Sequence, residues 1–552
     1  MPVSLHYGVT NSLVTAALTL LSVPIIFSLG WLGTKKAFPH RVVDWLARNY
    51  RVAISLLMVA ALAALVLCVW ALRAFPNSGD EYVYLFQADT LLSGRLWNSL
   101  DPLHQYFSFS HIIEKDGKWV GIYTPGWPLI LAGAKLIAIP PYAVSPICAV
   151  LLVLVSGRLY REVAKAPAAA IGTALLVLNA FFLMNGASYF AHIATALFGA
   201  LFVLYGLRYL KNPTVLSSLI VGAALGAVGV IRPFSAILFA VPFVCELLLR
   251  GRYHFKTLVW ILLAGLPFAV GLLAYNWLIT GSPFLFVQHW GYPLEKIGIF
   301  PRDWWGNEFT LLDTSSAAIQ RLVELTIWTS PFLIVLYLLA GYQKVMSRTL
   351  GFYDFIFPMF VVGYMLFPAV VLIDNRYGPR YYFEAFPFLI LTIVSGLLPY
   401  LTSKSDKISA TAFGLVLAAL TLACFMIPIH LDENHRVVDE RMGLYDAARR
   451  EKISHAVVIL RTNSGRIAPM VPMDLTRNGI NIRDADIIFA LSKTYSTWLR
   501  ATGQGTEGGA LDLAELMQAF PDRSFYVFEQ QKDGQAMLRK LTRADVSNSD
   551  SR

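Results

Sequence analysis

Charge is scarce in this chain: Asp, Glu, Lys and Arg make up 14% of its 552 residues. A soluble domain carries about 25%, so the composition excludes an ordinary cytosolic or secreted globular protein. Cysteine is nearly absent too. Cys68, Cys148, Cys245 and Cys424 each lie alone in an apolar run, which excludes a disulfide framework and a zinc ribbon. The N-terminus lacks the basic n-region and small-residue cleavage site of a secretory signal, so Ser12–Leu32 reads as a retained span. The segment after Ile429 holds no GxGxxG turn, P-loop or nucleophile elbow, which leaves it without a recognisable phosphate cradle or activated serine.

What is present is apolar: 56% of the residues are hydrophobic. Runs of spanning length lie near 12–32, 53–72, 142–157, 168–185, 190–208, 216–231, 234–249, 257–279, 325–342, 354–373, 383–401 and 408–429. Gly126–Ile139 is also apolar, but it is short and closed by Pro140-Pro141, and reads as a re-entrant or interfacial helix. The expected fold is therefore a polytopic α-helical membrane protein with about twelve transmembrane helices and that extra short helix.

The net charge of +10 invites a nucleic-acid reading, which the distribution of charge excludes. Basic residues fill short alternate loops: Lys35, Lys36, Arg41, Arg48 and Arg51; Arg158, Arg161 and Lys165; Arg208 and Lys211; Arg250, Arg252 and Lys256; Lys344 and Arg348; Lys404 and Lys407. Such clusters mark cytoplasmic loops. One topology puts them all inside, provided 126–157 crosses an odd number of times. Facing outward are then 73–126, the turns near Ser188 and Arg232, 280–320, 374–381 and everything after His430.

The outward loop 73–126 has a hairpin signal, Lys115-Asp116-Gly117-Lys118, between Phe107–Ile113 and Trp119–Tyr123. Its aromatics, with His289-Trp290-Gly291-Tyr292 and Trp304-Trp305 of loop 280–320, either line a substrate groove or form an interfacial belt. After Ile429 the composition turns polar. His430–Arg441 reads as a linker, Glu440–Lys452 and Leu511–Phe520 as helices, and Ala456–Leu460, Asp486–Leu491 and Phe525–Phe528 as short buried strands. Three regions result: 1–52, an extra span and basic loop; 53–429, the transmembrane body; and 430–552, a small outward α/β domain. Gly503-Gln504-Gly505 and Gly508-Gly509 read as a flexible loop, and Asp474, Asp484 and Asp486 as surface and turn acids, since their spacing matches no calcium loop.

Charges at the hydrocarbon edge are costly unless paired or solvated, and so are functional candidates by default. Asp80 and Glu81 follow the span that ends near Leu72. Read locally, Asp80 is a helix N-cap and Glu81 a first-turn acid facing the helix dipole. Arg232 sits in Val230-Ile231-Arg232-Pro233-Phe234, and Arg376 and Arg380 in Asp374-Asn375-Arg376-Tyr377-Gly378-Pro379-Arg380-Tyr381-Tyr382-Phe383-Glu384. In the bland reading these arginines snorkel and pair with Asp374 and Glu384. In the functional reading, guanidinium forks hold a lipid phosphate, and a carboxylate deprotonates an acceptor hydroxyl. The donor is then a sugar on polyprenyl phosphate, because nucleotide sugars are confined to the cytoplasm.

At these residues the chain resembles the GT-C superfamily of membrane glycosyltransferases, most of all the family 39-like branch of protein O-mannosyltransferases and the lipid A aminoarabinose transferase. Asp80-Glu81-Tyr82-Val83-Tyr84 with Ala88 and Gly94 resembles that branch's first-loop pattern. Tyr123-Thr124-Pro125-Gly126-Trp127-Pro128-Leu129 resembles its entry to the next helix, and Arg380-Tyr381-Tyr382 with Pro387 its late Arg-Tyr-Tyr segment. The resemblance covers about 53–400. It implies an inverting transfer from a polyprenyl-phosphate sugar in a bacterial inner membrane, with Asp80 as general base, Glu81 as second choice or orienting acid, and Arg380, Arg376 and Arg232 on the donor phosphate. Tyr84, Tyr123, His192, His289, Tyr381 and Tyr382 are candidates for the substrate cavity. Many relatives carry an Asp in the second outward loop, where Ser188-Tyr189-Phe190-Ala191-His192 offers His192 instead. No cofactor is called for, and no ligand set supports a divalent metal. The acceptor, a glycan, lipid or protein, is not specified. The competing classes are a transporter or flippase, a polysaccharide polymerase or ligase, and a membrane scaffold.

Overall fold

The computed structural model describes residues 38–250, 255–304, 306–367, 377–460, 475–491, 513–530 and 536–541. The expected span 12–32, Trp305, Arg376, Asp474 and the Gly503–Gly509 stretch lie outside the described residues. Six described helices are long and apolar enough to cross a membrane, and up to eight spans result if each of two bent helix pairs counts as one. The chain is a polytopic helical membrane protein.

Several expected spans differ in detail. The run 168–185 is two helices, Ala166–Val177 and Ala180–Ala187, bent by 61°. Asn179 explains the break: its Nδ2 donates to the Leu175 and Leu176 carbonyls, and its Oδ1 accepts from Phe182 N–H. One amide thus satisfies the end of one helix and the start of the next. The run 325–342 is likewise split between Leu311–Trp328 and Pro331–Met346, bent by 111°. Ser330 caps the second helix, with Pro at its first turn. Helical structure therefore begins at Leu311, inside the stretch expected as loop. Gly126–Leu136 is a helix of 11 residues, against the roughly 20 that a crossing takes.

The largest departure is at 430–441. Instead of a linker, one helix runs from Asp406 to Arg450. Polar composition alone does not end a helix. No Gly or Pro interrupts 430–441, and two pairs lie along the helix: buried His430 with Glu433 at 3.3 Å, and exposed His435 with Asp439 at 3.2 Å.

The chain divides into two compact units. The first comprises residues 1–74, 139–274 and 295–434. Apart from the short β-bridges Lys296–Arg302 and Arg302–Glu308, its regular elements among the described residues are helices, and small residues bring those helices close. A Cβ on Gly222 would stand 2.0 Å from the Ile261 carbonyl oxygen, and one on Gly396 2.5 Å from that of Ala340, so only glycine permits these backbones to touch.

The second unit comprises residues 75–138, 275–294 and 435–552. Strands β1 (Asn98–Ser99), β2 (Ile112–Lys115) and β3 (Lys118–Gly121) form an antiparallel sheet in the order β1-β3-β2. Asp116 and Gly117 turn the β2–β3 hairpin with φ of 51° and 71°, the left-handed pair that Asp-Gly favours. A second sheet holds β4 (Ala456–Leu460), β5 (Ile487–Leu491), β6 (Ser524–Gln530) and β7 (Ala536–Lys540) in the order β5-β4-β6-β7. Its central strand β4 is wholly buried and runs parallel to β5 and β6, which fits its unbroken apolar run. One core joins the two sheets. Val83, Phe86, Phe107 and Trp119 of the first loop pack with Val457, Ile488, Leu516 and Phe525.

Candidate active site

The acidic pair sits in the second unit, at the start of the Gly79–Leu92 helix. The N-cap is Ser78, not Asp80. The Ser78 hydroxyl accepts from Glu81 N–H and donates to Glu81 Oε2, both at 3.2 Å. Glu81 is fully buried, so its carboxylate is taken up in closing the helix end, in the manner of a capping box. Asp80 lies one residue earlier, at the second helical position, and its side chain keeps 18% exposure. Two adjacent carboxylates thus have different surroundings: Glu81 is fully buried and Asp80 is partly exposed.

Asp80 is held by aromatic and imidazole groups. The Tyr123 hydroxyl donates to Asp80 Oδ1, and His111 Nε2 stands 3.8 Å from the same oxygen. Tyr84 packs on Tyr123 with ring centroids 4.3 Å apart, and His111 stacks parallel to Tyr123 at 6.3 Å. Gln87, one helical turn beyond Tyr84, donates from Nε2 to the Tyr123 carbonyl at 2.8 Å and to the Tyr275 hydroxyl at 3.2 Å. A Cβ on Gly121 would fall 2.6 Å from Val83 and Gln87 side-chain carbons, so this glycine lets β3 lie against the acid-bearing helix. His111 adopts φ of 66°, a left-handed conformation uncommon outside glycine.

The C-terminal segment braces this arrangement from within the same unit. The Tyr82 hydroxyl donates to the Asn478 carbonyl, and burial pushes its phenol well up from the ordinary value. Thr476 donates to the Ser108 carbonyl at 2.7 Å, Tyr106 to Glu515 at 2.9 Å, and Arg441 to the Asn77 carbonyl at 2.6 Å. Asp486 accepts from His455 N–H at 2.7 Å, which gives this acid a strand-aligning contact. His104 and Glu114 pair at 2.5 Å, and that hydrogen bond holds the imidazole above the usual histidine range. His289 lies in the short Val287–Gly291 helix of the same unit, where burial lowers its pKa.

The arginines gather in the first unit. Arg232 breaks the chain between the Val215–Ile231 helix and Pro233. Its Nε lies 2.6 Å from Glu384 Oε1, and its Nη2 donates to the Tyr364 hydroxyl at 3.1 Å. His192, first residue of the His192–Lys211 helix, donates from Nδ1 to the same Glu384 oxygen at 2.8 Å. Ser235 shares the Tyr364 hydroxyl at 3.0 Å. Tyr381 is the hub of this cluster. The Arg232 and Arg380 guanidinium carbons stand 5.3 and 5.6 Å from its ring centroid, and Arg380 also lies over Phe190 at 4.4 Å. Cation–π contacts of this kind hold a guanidinium without using up its charge.

Asp80, Glu81, Tyr84 and Tyr123 therefore meet in one unit, and Arg232, His192, Arg380 and Tyr381 in the other. Tyr382 differs from its neighbour: it is 1% exposed and packs on Phe357. Glu384, expected only as a partner for snorkelling arginines, is at the centre of the second cluster, joined to Arg232 and His192. Its signal was its place four residues after Arg380, at the mouth of an apolar run. His111 and Tyr364 carried no signal of their own, because each reaches its cluster only through folding.

No protein family matches the chain, and none of the curated proteins does. Among solved structures it is similar to ArnT from Cupriavidus metallidurans bound to undecaprenyl phosphate, with 12% identity and a TM-score of 0.49 over 86% of this chain and 93% of that one. It is similar to the Archaeoglobus fulgidus oligosaccharyltransferase tethered to an acceptor peptide, with 12% identity and a TM-score of 0.44 over 88% and 70%. It is also similar to the mycobacterial arabinofuranosyltransferase AftD, with 12% identity and a TM-score of 0.44 over 87% of this chain and 36% of that one. All three are GT-C glycosyltransferases.

Proposed function

We propose that this chain is an inverting glycosyltransferase of GT-C type that moves a sugar from polyprenyl phosphate to an acceptor hydroxyl. The acceptor oxygen attacks the anomeric carbon from the side opposite the phosphate. The new C–O bond forms as the old one breaks, and the electron pair of the broken bond leaves on the phosphate. Asp80 takes the acceptor's proton. Arg380, with Arg376 and Arg232, holds the phosphate and stabilises the charge that builds on it. The reaction takes place on the outer face of a bacterial inner membrane.

The observation that carries this reading is the division of labour between the adjacent acids. Glu81 is buried in a helix cap, while Asp80 stays partly exposed and is oriented by Tyr123 and His111. An acid that only capped the helix would not need Tyr123 and His111 beside it. Incubating the purified protein with a panel of polyprenyl-phosphate sugars tests it. Turnover by wild type and its loss in Asp80→Asn is the expected result, and a wild-type rate in that variant removes Asp80 from the chemistry.

A second reading, a lipid-linked-glycan transporter, draws on the two bent helix pairs, since discontinuous helices are a transporter feature. Flipping of a labelled lipid-linked sugar in vesicles, without transfer to any acceptor, would favour it.

A further inference from the structure

Glu384 is fully buried, yet it receives two cationic or donor groups on a single oxygen: Arg232 Nε at 2.6 Å and His192 Nδ1 at 2.8 Å. Burying a carboxylate is expensive even beside a guanidinium. An amide would keep a hydrogen bond to His192 without that cost. The charge itself therefore invites an explanation. Its effect is to cancel the charge of Arg232 inside a cluster that also holds Arg380 through the Tyr381 ring.

The chemistry of the leaving group supplies a reason. A sugar linked to a polyprenyl phosphate is a phosphodiester with one negative charge. Once the sugar has gone, the lipid phosphate is a monoester with about two. A site with undiminished positive charge binds the product more tightly than the donor, and so traps it. We infer that Glu384 sets the charge of the phosphate-holding cluster so that the lipid phosphate is released after transfer, making it a specificity-determining residue for donor over product. This rests on the donor-phosphate role of Arg380 and Arg232.

The test measures binding to purified, full-length protein in lipid nanodiscs with two probes. One is undecaprenyl phosphate, the doubly charged product form. The other is its methyl diester, which is singly charged like the donor. Wild type is expected to bind the two with comparable affinity. Glu384→Gln adds one net positive charge close to the lipid phosphate, and is expected to favour the monoester by about tenfold relative to the diester. A purely structural role for Glu384 weakens both probes together and leaves their ratio alone, and that outcome overturns the inference. Should Glu384→Gln fold poorly, Arg232→Gln leaves the Glu384 charge uncompensated and is expected to shift the ratio by about tenfold the other way, toward the diester. A ratio equal to wild type in that variant overturns the inference equally. If wild type binds neither probe, the donor-phosphate reading itself falls. If both bind and the ratio never moves, only the role of Glu384 does.

Discussion

The Tyr123 hydroxyl donates a hydrogen bond to the Asp80 carboxylate across 43 residues of sequence. Tyr123 opens the Tyr-Thr-Pro-Gly-Trp-Pro-Leu run, and Asp80 opens the Asp-Glu-Tyr run. Two of the three motifs that carry the family resemblance are thus joined directly. A hydrogen bond of this kind orients the carboxylate.

Asp80→Asn keeps the shape and, in the proposed mechanism, removes the base. Transfer from the lipid-linked sugar should fall by about 10²–10⁴-fold, with the thermal melt of the purified protein unchanged. Tyr123→Phe should lower kcat by a smaller factor, about fivefold, since one orienting bond is worth roughly 1 kcal/mol.

Glu81→Gln should act on stability first. It weakens the Ser78 cap and removes a negative charge from a helix N-terminus, a loss of about 1 kcal/mol. The melting temperature should drop while kcat stays within about tenfold of wild type. A collapse of kcat matching that of Asp80→Asn, with an intact melt, would instead make Glu81 the base.

Arg380→Ala should weaken binding of undecaprenyl phosphate by about 10–100-fold, the equivalent of one charge-assisted hydrogen bond. Isothermal titration on nanodiscs reads this directly. Affinity equal to wild type would take Arg380 out of the phosphate site.

The His104–Glu114 pair makes stability depend on pH with a definite sign. The imidazole is held above its ordinary value of 6.5 by the Glu114 hydrogen bond. A raised basic pKa stabilises the fold fully below the ordinary value, and that contribution is lost as pH rises through the elevated one. Melting temperature should therefore decline as pH climbs through neutrality, and His104→Gln should flatten the slope. An identical slope in the variant would assign the effect elsewhere.

Gly222→Leu places carbon atoms where the Ile261 carbonyl now lies. Overpacking of this kind typically costs about 1–3 kcal/mol. The protein should lose thermal stability in detergent, whereas Gly133→Leu, at a glycine with open space around its Cβ position, should not.

Much of the architecture was written in composition and spacing. Long apolar runs require helices in lipid, because backbone groups find no water there, and Asp116-Gly117 sets the hairpin because few other pairs tolerate two left-handed residues. Strands β4 and β5 were legible as short, unbroken apolar runs. What did not show was where helices break or persist. Asn179 and Thr329-Ser330 interrupt runs that are apolar enough to be continuous, and the Asp406–Arg450 helix continues through residues polar enough to be a linker. Hydropathy reports the surroundings of a segment, while caps and side-chain-to-backbone hydrogen bonds decide its ends.

The sequence by itself determined that this is a membrane protein of many helices, that an acid pair follows an early span, and that arginines cluster before a late one. Those properties are local, carried by runs and short motifs. Only the tertiary structure decided which acid is taken up in a helix cap and which stays partly exposed, and that Glu384 and His192 join Arg232 around Tyr381. It also decided that the first loop shares a core with strands several hundred residues away. Each of these depends on groups far apart in the chain coming within hydrogen-bonding or packing distance, and no spacing along the chain encodes that.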